Sequence, residues 1–464
     1  MKKFTLAVSL LLLVGASSML FASGSKEATP AATESAAVEK AEPVTIEYWT
    51  TQTQTDRQAT IQLLIDTYEA LNPNVTVKLV AVDENDMATQ LATAANSKTL
   101  PTLIDSGAEN IVAFGVDGLM DVDANKNAID AIGMDKFFEG ALKMNESSDG
   151  QYYGIPAYGW LQGIWYRTDW FEEAGLEPPT TWENIEKAAK YFYNPSENTY
   201  GILVGTKPET FAEQCFTPIA QSNGAQLFDK DGNLTFDTPE MKEAVEYYAR
   251  LAQYNPPGPQ TWRARDYYLQ GKLAMFFYST YIMDDLSVQD AAASSLTSEN
   301  FKDLEGSQFD PQLAEHTGMV PTITNKEAAS YGVIVSFGVI NQGDSAKAKA
   351  AESFVKFLYQ PSSYITFLHM APGGMNPVIK GIAEQDAYLD NPVLSNYGKD
   401  AIQDITDGMQ DIKSFSIVDG KKMNKATTIT TQQIIPQMIY QITQENISVD
   451  KAMATALAAM EDLK

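Results

Sequence analysis

Residues 44–82 read VTIEYWTTQTQTDRQATIQLLIDTYEALNPNVTVKLVAV, and this stretch decides the fold class. Val44 to Trp49 alternates apolar and polar residues, the period of a half-buried strand. Ile61, Leu64, Ile65, Tyr68 and Leu71 then recur at helical spacing, which predicts a helix over 58–72. Pro73 stops it, since proline has no N–H for the helical ladder, and Val75 to Val82 alternates as a second strand. A further helix is predicted over 85–97, and a short third strand begins at Leu103–Asp105. Strand, helix, strand, helix, strand is the order of a parallel sheet with crossover helices, so the class is α/β.

Working outward, the same idiom continues. Helices are predicted over 182–193, with Thr181 as N-cap and Glu183 and Glu186 in the first turns, and over 239–254. Strands are predicted at 273–278 and 333–340, a helix over 346–359 ending before Pro361, and helices over 427–444 and 449–463. No repeat of 20–50 residues appears. At the other end, Lys2 and Lys3 precede an apolar run from Phe4 to Val14, and small residues lead to Ala22-Ser23-Gly24. Residues 1–22 therefore read as a signal peptide cleaved after Ala22, with an uncleaved membrane anchor as the competing reading. Residues 23–43 are small and polar and read as a flexible linker. The expected location is periplasmic or otherwise extracytoplasmic.

Composition removes several classes of function. The 464 residues carry 60 acidic and 33 basic side chains, a formal charge of −27. Such a surface repels phosphate backbones and anionic lipid headgroups, so nucleic acid is not expected as a partner. Cys215 is the only cysteine, which excludes an intrachain disulfide; beside Phe216 it reads as a small buried hydrophobe rather than a catalytic thiol. With only His316 and His369, a His-rich metal site is excluded. Dinucleotide and Walker loops, GxSxG, HExxH and CxxC are all missing, so no cofactor and no metal are expected. The acidic residues include no pair that spacing singles out as catalytic.

Aromatic residues are more informative. Tyr158, Trp160, Trp165 and Tyr166 crowd together, interrupted by Gly159 and Gly163 in what reads as a loop-rich segment. Trp262 to Tyr268 forms a second cluster, and Phe276-Phe277-Tyr278 with Tyr281 a third. Trp49 ends the first strand, where open α/β sheets hold their ligands. Sugars present apolar C–H faces that pack on rings and hydroxyl rims that need polar partners. The plain alternative is that many of these rings are core, Trp165 and Phe276 foremost.

Tyr153-Gly-Ile-Pro156, then Trp165-Tyr-Arg-Thr-Asp169, then Phe171-Glu-Glu-Ala-Gly-Leu-Glu-Pro-Pro-Thr-Thr-Trp182 resemble the pattern of the family 1 extracellular solute-binding proteins that serve ABC importers, including maltose- and trehalose-binding proteins. Gly271-Lys-Leu-Ala-Met275, Gly374-Met-Asn-Pro377, Val44 to Val82 and the stretch Pro101 to Asp121 extend the likeness to the carboxyl terminus. The lipoprotein cysteine common in that family is absent, and a proline and a second glycine-rich turn surround the late loop.

The resemblance implies a two-lobed periplasmic-binding-protein fold with a ligand cleft between lobes. Lobe 1 would comprise 44–158 plus 318–370, lobe 2 159–317 plus 371–464, with crossings near Tyr158, Gly318 and His369. It implies a monomeric binding component, not an enzyme, that captures a small neutral carbohydrate by lobe closure for the permease subunits of an ABC importer. The implied ligand contacts are Trp49, Gln52, Ser106, Glu109, Tyr158, Trp160, Arg263, Arg265, Tyr278, Tyr281, Gly374 and Asn376. The aromatics would stack, and Gln52, Glu109, Arg263 and Asn376 would bond hydroxyls; a surface salt bridge is the competing reading for Arg263 and Arg265. The alternatives are a secreted carbohydrate-active enzyme, a polyol- or polyamine-binding protein, and an adhesin or chemoreceptor partner.

Overall fold

The computed structural model describes residues 42–288 and 312–463; the expected signal peptide and nearly all of the expected linker lie outside them. The opening strand and helix form where periodicity puts them: β1 (Val44–Thr50), α1 (Thr55–Leu71), β2 (Val75–Ala81), α2 (Met87–Ser97), β3 (Leu103–Gly107) and α3 (Ala108–Val116). Ile61, Leu64, Ile65 and Tyr68 of α1 are buried, the face that its spacing assigns to the core. β1 pairs in parallel with β2, Val44 opposite Val75, and in parallel with β3, Tyr48 opposite Leu103.

Two long strands carry the chain onward. These are β4 (Ile155–Arg167) and β8 (Ala328–Val339); between them come β5 (Met275–Ser279), β6 (Thr317–Val320) and β7 (Ile323–Thr324), and β9 (Ile412–Lys413) follows. The described sheet runs β2-β1-β3-β8-β4-β5, with β6 on β4, and β7 and β9 on β8. β8 pairs antiparallel with β3 through Val335–Val339 and with β4 through Tyr331–Phe337. The later part of β4, Gln162–Tyr166, pairs with β5. One half of the fold is thus built around β1–β3 and the other around β5, and β4 and β8 run through both.

β4 departs from the loop-rich reading of 155–167. Its glycines are sites of close approach, not turns: a Cβ on Gly159 would lie 2.8 Å from Ile334 Cδ1, and one on Gly163 2.4 Å from Met319 Cε. A register shift between Pro156 and Tyr158 marks a bulge, which re-aims the side chains that follow. Trp165 and Phe276 are fully buried.

The helices largely keep their predicted bounds. Trp182–Phe192 is capped by Thr181, whose hydroxyl oxygen accepts the Asn184 N–H. Ser345–Leu358 packs its apolar face against α4 (Val122–Ile132) and β1. The helix predicted over 427–444 is two, Asn424–Thr431 and Ile434–Thr443, broken at Gln433 with φ of 55°. Pro436 explains the break: it cannot donate to the carbonyl four residues back, so a new first turn starts beside it.

Candidate functional site

The carboxyl ends of β1 and β3 are locked together. The Tyr48 hydroxyl donates to Asp105 at 2.5 Å, and the Thr51 N–H and hydroxyl donate to its other oxygen at 2.8 and 2.5 Å. Asp105 is 1% exposed, and these donors hold its carboxylate where water cannot. The segment just beyond β1 is fixed by this knot: Gln52 donates from Nε2 to the Tyr158 hydroxyl at 2.8 Å and accepts from Arg57 at 2.9 Å.

α3 starts directly after β3 and brings Glu109 in its first turn, near the positive end of the helix dipole. Facing it is the helix Thr210–Ser222, which sends Thr210, Glu213, Gln214 and Thr217 to one face, three and four residues apart. Tyr331 to Ile334 of β8, Ser414 to Ser416, and Ala426, Thr427, Thr430 and Thr431 complete the walls. They surround a cavity of about 320 Å³, the size range of small-molecule sites. An adjoining cavity of about 360 Å³ shares Thr210 and Gln214 and is lined by Gln162, Trp262, Tyr278 and Gln433.

Electrostatically the first cavity is acidic. Glu84, Glu109 and Glu213 line it, with no Lys, Arg or His among the described lining residues. The Ser416 hydroxyl donates to Glu109, and the Thr430 hydroxyl donates to Glu213 Oε1 at 2.7 Å. Burial lifts the Glu213 carboxyl to about 7; the Thr430 hydrogen bond opposes this and the charge of Glu109 adds to it. Burial, then Asp105 and Asp83, raises Glu84. The Tyr331 hydroxyl is raised by burial and then by Glu213 and Glu109, which places all three groups in one field.

An aromatic ledge borders this field. The Trp160 ring meets Tyr331 edge-on at 6.1 Å between centroids and Tyr281 at 6.5 Å. Gly374 backs directly onto the Tyr281 ring: a Cβ there would lie 2.0 Å from its Cε1. Trp160, Tyr281 and Gly374 are therefore brought together, as are Gln52 with Tyr158 and Ser106 with Asn110, whose amide donates to it.

The remaining expected contacts are placed differently. Glu109 alone of the twelve lines the first cavity, and Tyr278 lines the second. Trp49 packs with Val82, Leu91, Ile104 and Phe114 in a separate apolar cluster, its indole N–H held by Glu47 at 2.5 Å. Arg265 is 5% exposed, paired with Asp285 at 2.9 Å and lying over the Trp262 and Tyr278 rings. Arg263 sits in the short turn Trp262–Arg265, and its side chain is outside the described residues. Asn376 is 2% exposed and bonded to Gly159, Thr280 and Gly373. Glu213, Thr430, Ser416 and Tyr331 went unread in the sequence. The signal for Glu213 was the polar stripe Thr210, Glu213, Gln214, Thr217 on a helix whose other face carries Phe211, Cys215, Phe216 and Ile219.

The model of the bacterial extracellular solute-binding protein family matches residues 51–364, well over half of the chain. The chain belongs to that family. A protein of Escherichia coli K12 named as an ABC transporter periplasmic-binding protein, YcjN, is 30% identical over 421 residues, 90% of this chain and 91% of its own. A mannitol-binding protein of Pseudomonas aeruginosa is 27% identical over 206 residues, covering 43% of this chain and 46% of its own. The solved sugar-binding protein MalE from Xanthomonas citri superposes with a TM-score of 0.68 at 17% identity, over 90% of this chain and 97% of its own. This solute-binding protein therefore has the two-lobed fold of periplasmic binding proteins, with the cleft between lobes. The proteins it resembles are binding proteins.

Proposed function

We propose that this protein captures a neutral sugar or oligosaccharide outside the cytoplasm, closes its lobes on it, and delivers it unaltered to the permease subunits of an ABC importer. One observation carries the reading: a cavity lined by Tyr331, whose ring meets Trp160 and through it Tyr281, and walled by hydroxyl, amide and carboxylate groups facing each other from α3 and from the helix Thr210–Ser222. Rings take the apolar faces of a sugar, and the polar walls take its hydroxyls. The name of the E. coli relative supports the same class of partner, and that of the P. aeruginosa relative supports a neutral, hydroxyl-rich cargo.

In this reading residues 1–22 export the chain and 23–43 tether it. The lobes are 44–158 with 318–370, and 159–317 with 371–464. Trp160, Tyr281, Tyr331 and Glu109 touch the solute, while Gln52, Ser106, Tyr158, Gly374 and Asn376 shape the cleft behind them. Closure follows from contacts that are better in the closed state.

A specific feature favours keeping the enzyme reading in the test: Glu109 and a carboxyl titrating near 7 share one cavity. Thermal unfolding of the ligand-stripped protein against sugars, polyols and polyamines decides between them. A solute at about 100 times its Kd stabilises the native state by about 2.7 kcal/mol. A shift with the sugar recovered intact supports capture; consumption of a glycoside, abolished by substituting Glu213, replaces it with catalysis.

A further inference from the structure

Glu213 is 7% exposed, and among the described residues only one of its carboxyl oxygens finds a partner. Thr430 donates to Oε1, whereas Oε2 is buried on the wall of the cavity without a hydrogen-bond partner among the described residues. A buried acceptor with no donor is costly, and the cost is recovered when a solute supplies one. The charged and titratable groups facing Glu213 are Glu109 from α3, Glu84 ahead of α2 and Tyr331 from β8; its neighbours Thr217, Gln214 and Thr430 are uncharged.

We propose that Glu213 is the specificity-determining contact of the cleft: Oε2 accepts a hydrogen bond from a hydroxyl of an uncharged sugar or polyol, and with Glu84 and Glu109 it excludes carboxylated and phosphorylated sugars. This rests on the reading of the protein as a sugar-capture protein. An anionic solute would meet three carboxyl groups, one of them buried, and no cation among the described lining residues. Loading also has a proton linkage. Glu213, held near 7 by burial, is partly protonated in the empty cleft at neutral pH. A hydroxyl donated to Oε2 stabilises the ionised form, so the proton leaves to solvent and affinity rises between about pH 6 and 8.

The test is the melting shift produced by millimolar mannitol, glucose, maltose, glucuronate and glucose 6-phosphate at pH 6 and pH 8, on the full chain and on Glu213→Leu and Glu213→Gln. The expected result is a shift with at least one neutral solute, larger at pH 8, and none with glucuronate or glucose 6-phosphate. Glu213→Leu should weaken that affinity by about tenfold or more, the equivalent of losing one good polar contact. Glu213→Gln, which keeps the shape and covers the case in which the leucine variant fails to fold, should retain binding and flatten its pH dependence. A neutral solute that shifts wild type and Glu213→Leu alike, a pH response that survives in Glu213→Gln, or equal shifts with the anionic sugars would overturn this proposal and leave sugar capture standing. No shift with any neutral solute overturns the capture reading itself, and this inference with it.

Discussion

Gly159 and Asn376 hold each other by a reciprocal pair of backbone hydrogen bonds, the Asn376 N–H to Gly159 O at 2.8 Å and the Gly159 N–H to Asn376 O at 3.1 Å. The Asn376 amide adds donations to Gly159 O at 3.2 Å, Thr280 Oγ1 at 3.0 Å and Gly373 O at 2.6 Å. The late loop is thereby stitched to β4 and to the segment after β5. Asn376→Ala removes all the side-chain bonds and takes from buried Gly373 O its side-chain donor, while Gly159 O keeps the backbone N–H, so it should lower the unfolding free energy by about 1–3 kcal/mol. Urea denaturation reads this directly; an unchanged midpoint would show that the loop is held by something else.

Gly374 and Tyr281 make the opposite case, a contact that in the proposed reading shapes the cleft more than it holds the fold. A Cβ at Gly374 would overlap the Tyr281 ring, and that ring is 44% exposed and free to swing outward. Gly374→Ala should therefore change unfolding stability by less than about 1 kcal/mol while costing the Trp160–Tyr281 contact. Affinity for the captured sugar should fall by about tenfold, the scale of one aromatic contact. Titration and melting of the same sample separate the two effects. Equal losses in both would mean that Tyr281 is structural.

The sequence made the framework legible because periodicity reports burial, and burial is what β1, α1, β2 and α2 are built from. Ile61, Leu64, Ile65 and Tyr68 sit at helical spacing and are buried together. What it hid are groups whose role depends on a partner far along the chain. Trp49 reads as a cleft ring by its place at a strand end, yet it is buried in one apolar cluster with Val82, Leu91 and Phe114. Glu213 meets Thr430, 217 residues away, and Glu109 meets Ser416, 307 residues away. No local pattern encodes such pairs, and a carboxylate in a chain with 60 acidic residues draws no attention by type. Gly159 and Gly163 misled for a related reason: a glycine that admits a neighbour and one that turns the chain look alike in a sequence.

Cys215 offers a probe that costs nothing in mutation. It is fully buried, and burial pushes its thiol up to about 12. Because the thiolate is the reactive form, alkylation at pH 8 should be negligible in the native state and complete in denaturant. The native labelling rate should follow global opening and fall when a captured sugar is added. Rapid native labelling would mean that the helix Thr210–Ser222 opens locally.

Glu213 also sets a pH dependence of the empty protein whose sign follows from its position. Its folded carboxyl titrates near 7, against an ordinary value of 4.5. Between those two values the native state holds a proton that the unfolded chain has released, so stability falls as pH rises through that window and the loss is complete above about 7. At about 1.4 kcal/mol per pH unit, the full loss is on the order of 3 kcal/mol. Glu84, Asp284, Asp404 and Asp407 are raised as well and push in the same direction, but they remain in any Glu213 variant and cancel in the difference. Glu213→Gln carries no titrating proton. Its unfolding free energy relative to wild type should therefore improve by about 3 kcal/mol on going from pH 5 to pH 8. Parallel pH profiles for the two proteins would mean that Glu213 is ionised in the native cleft across this range and that another group bears the proton.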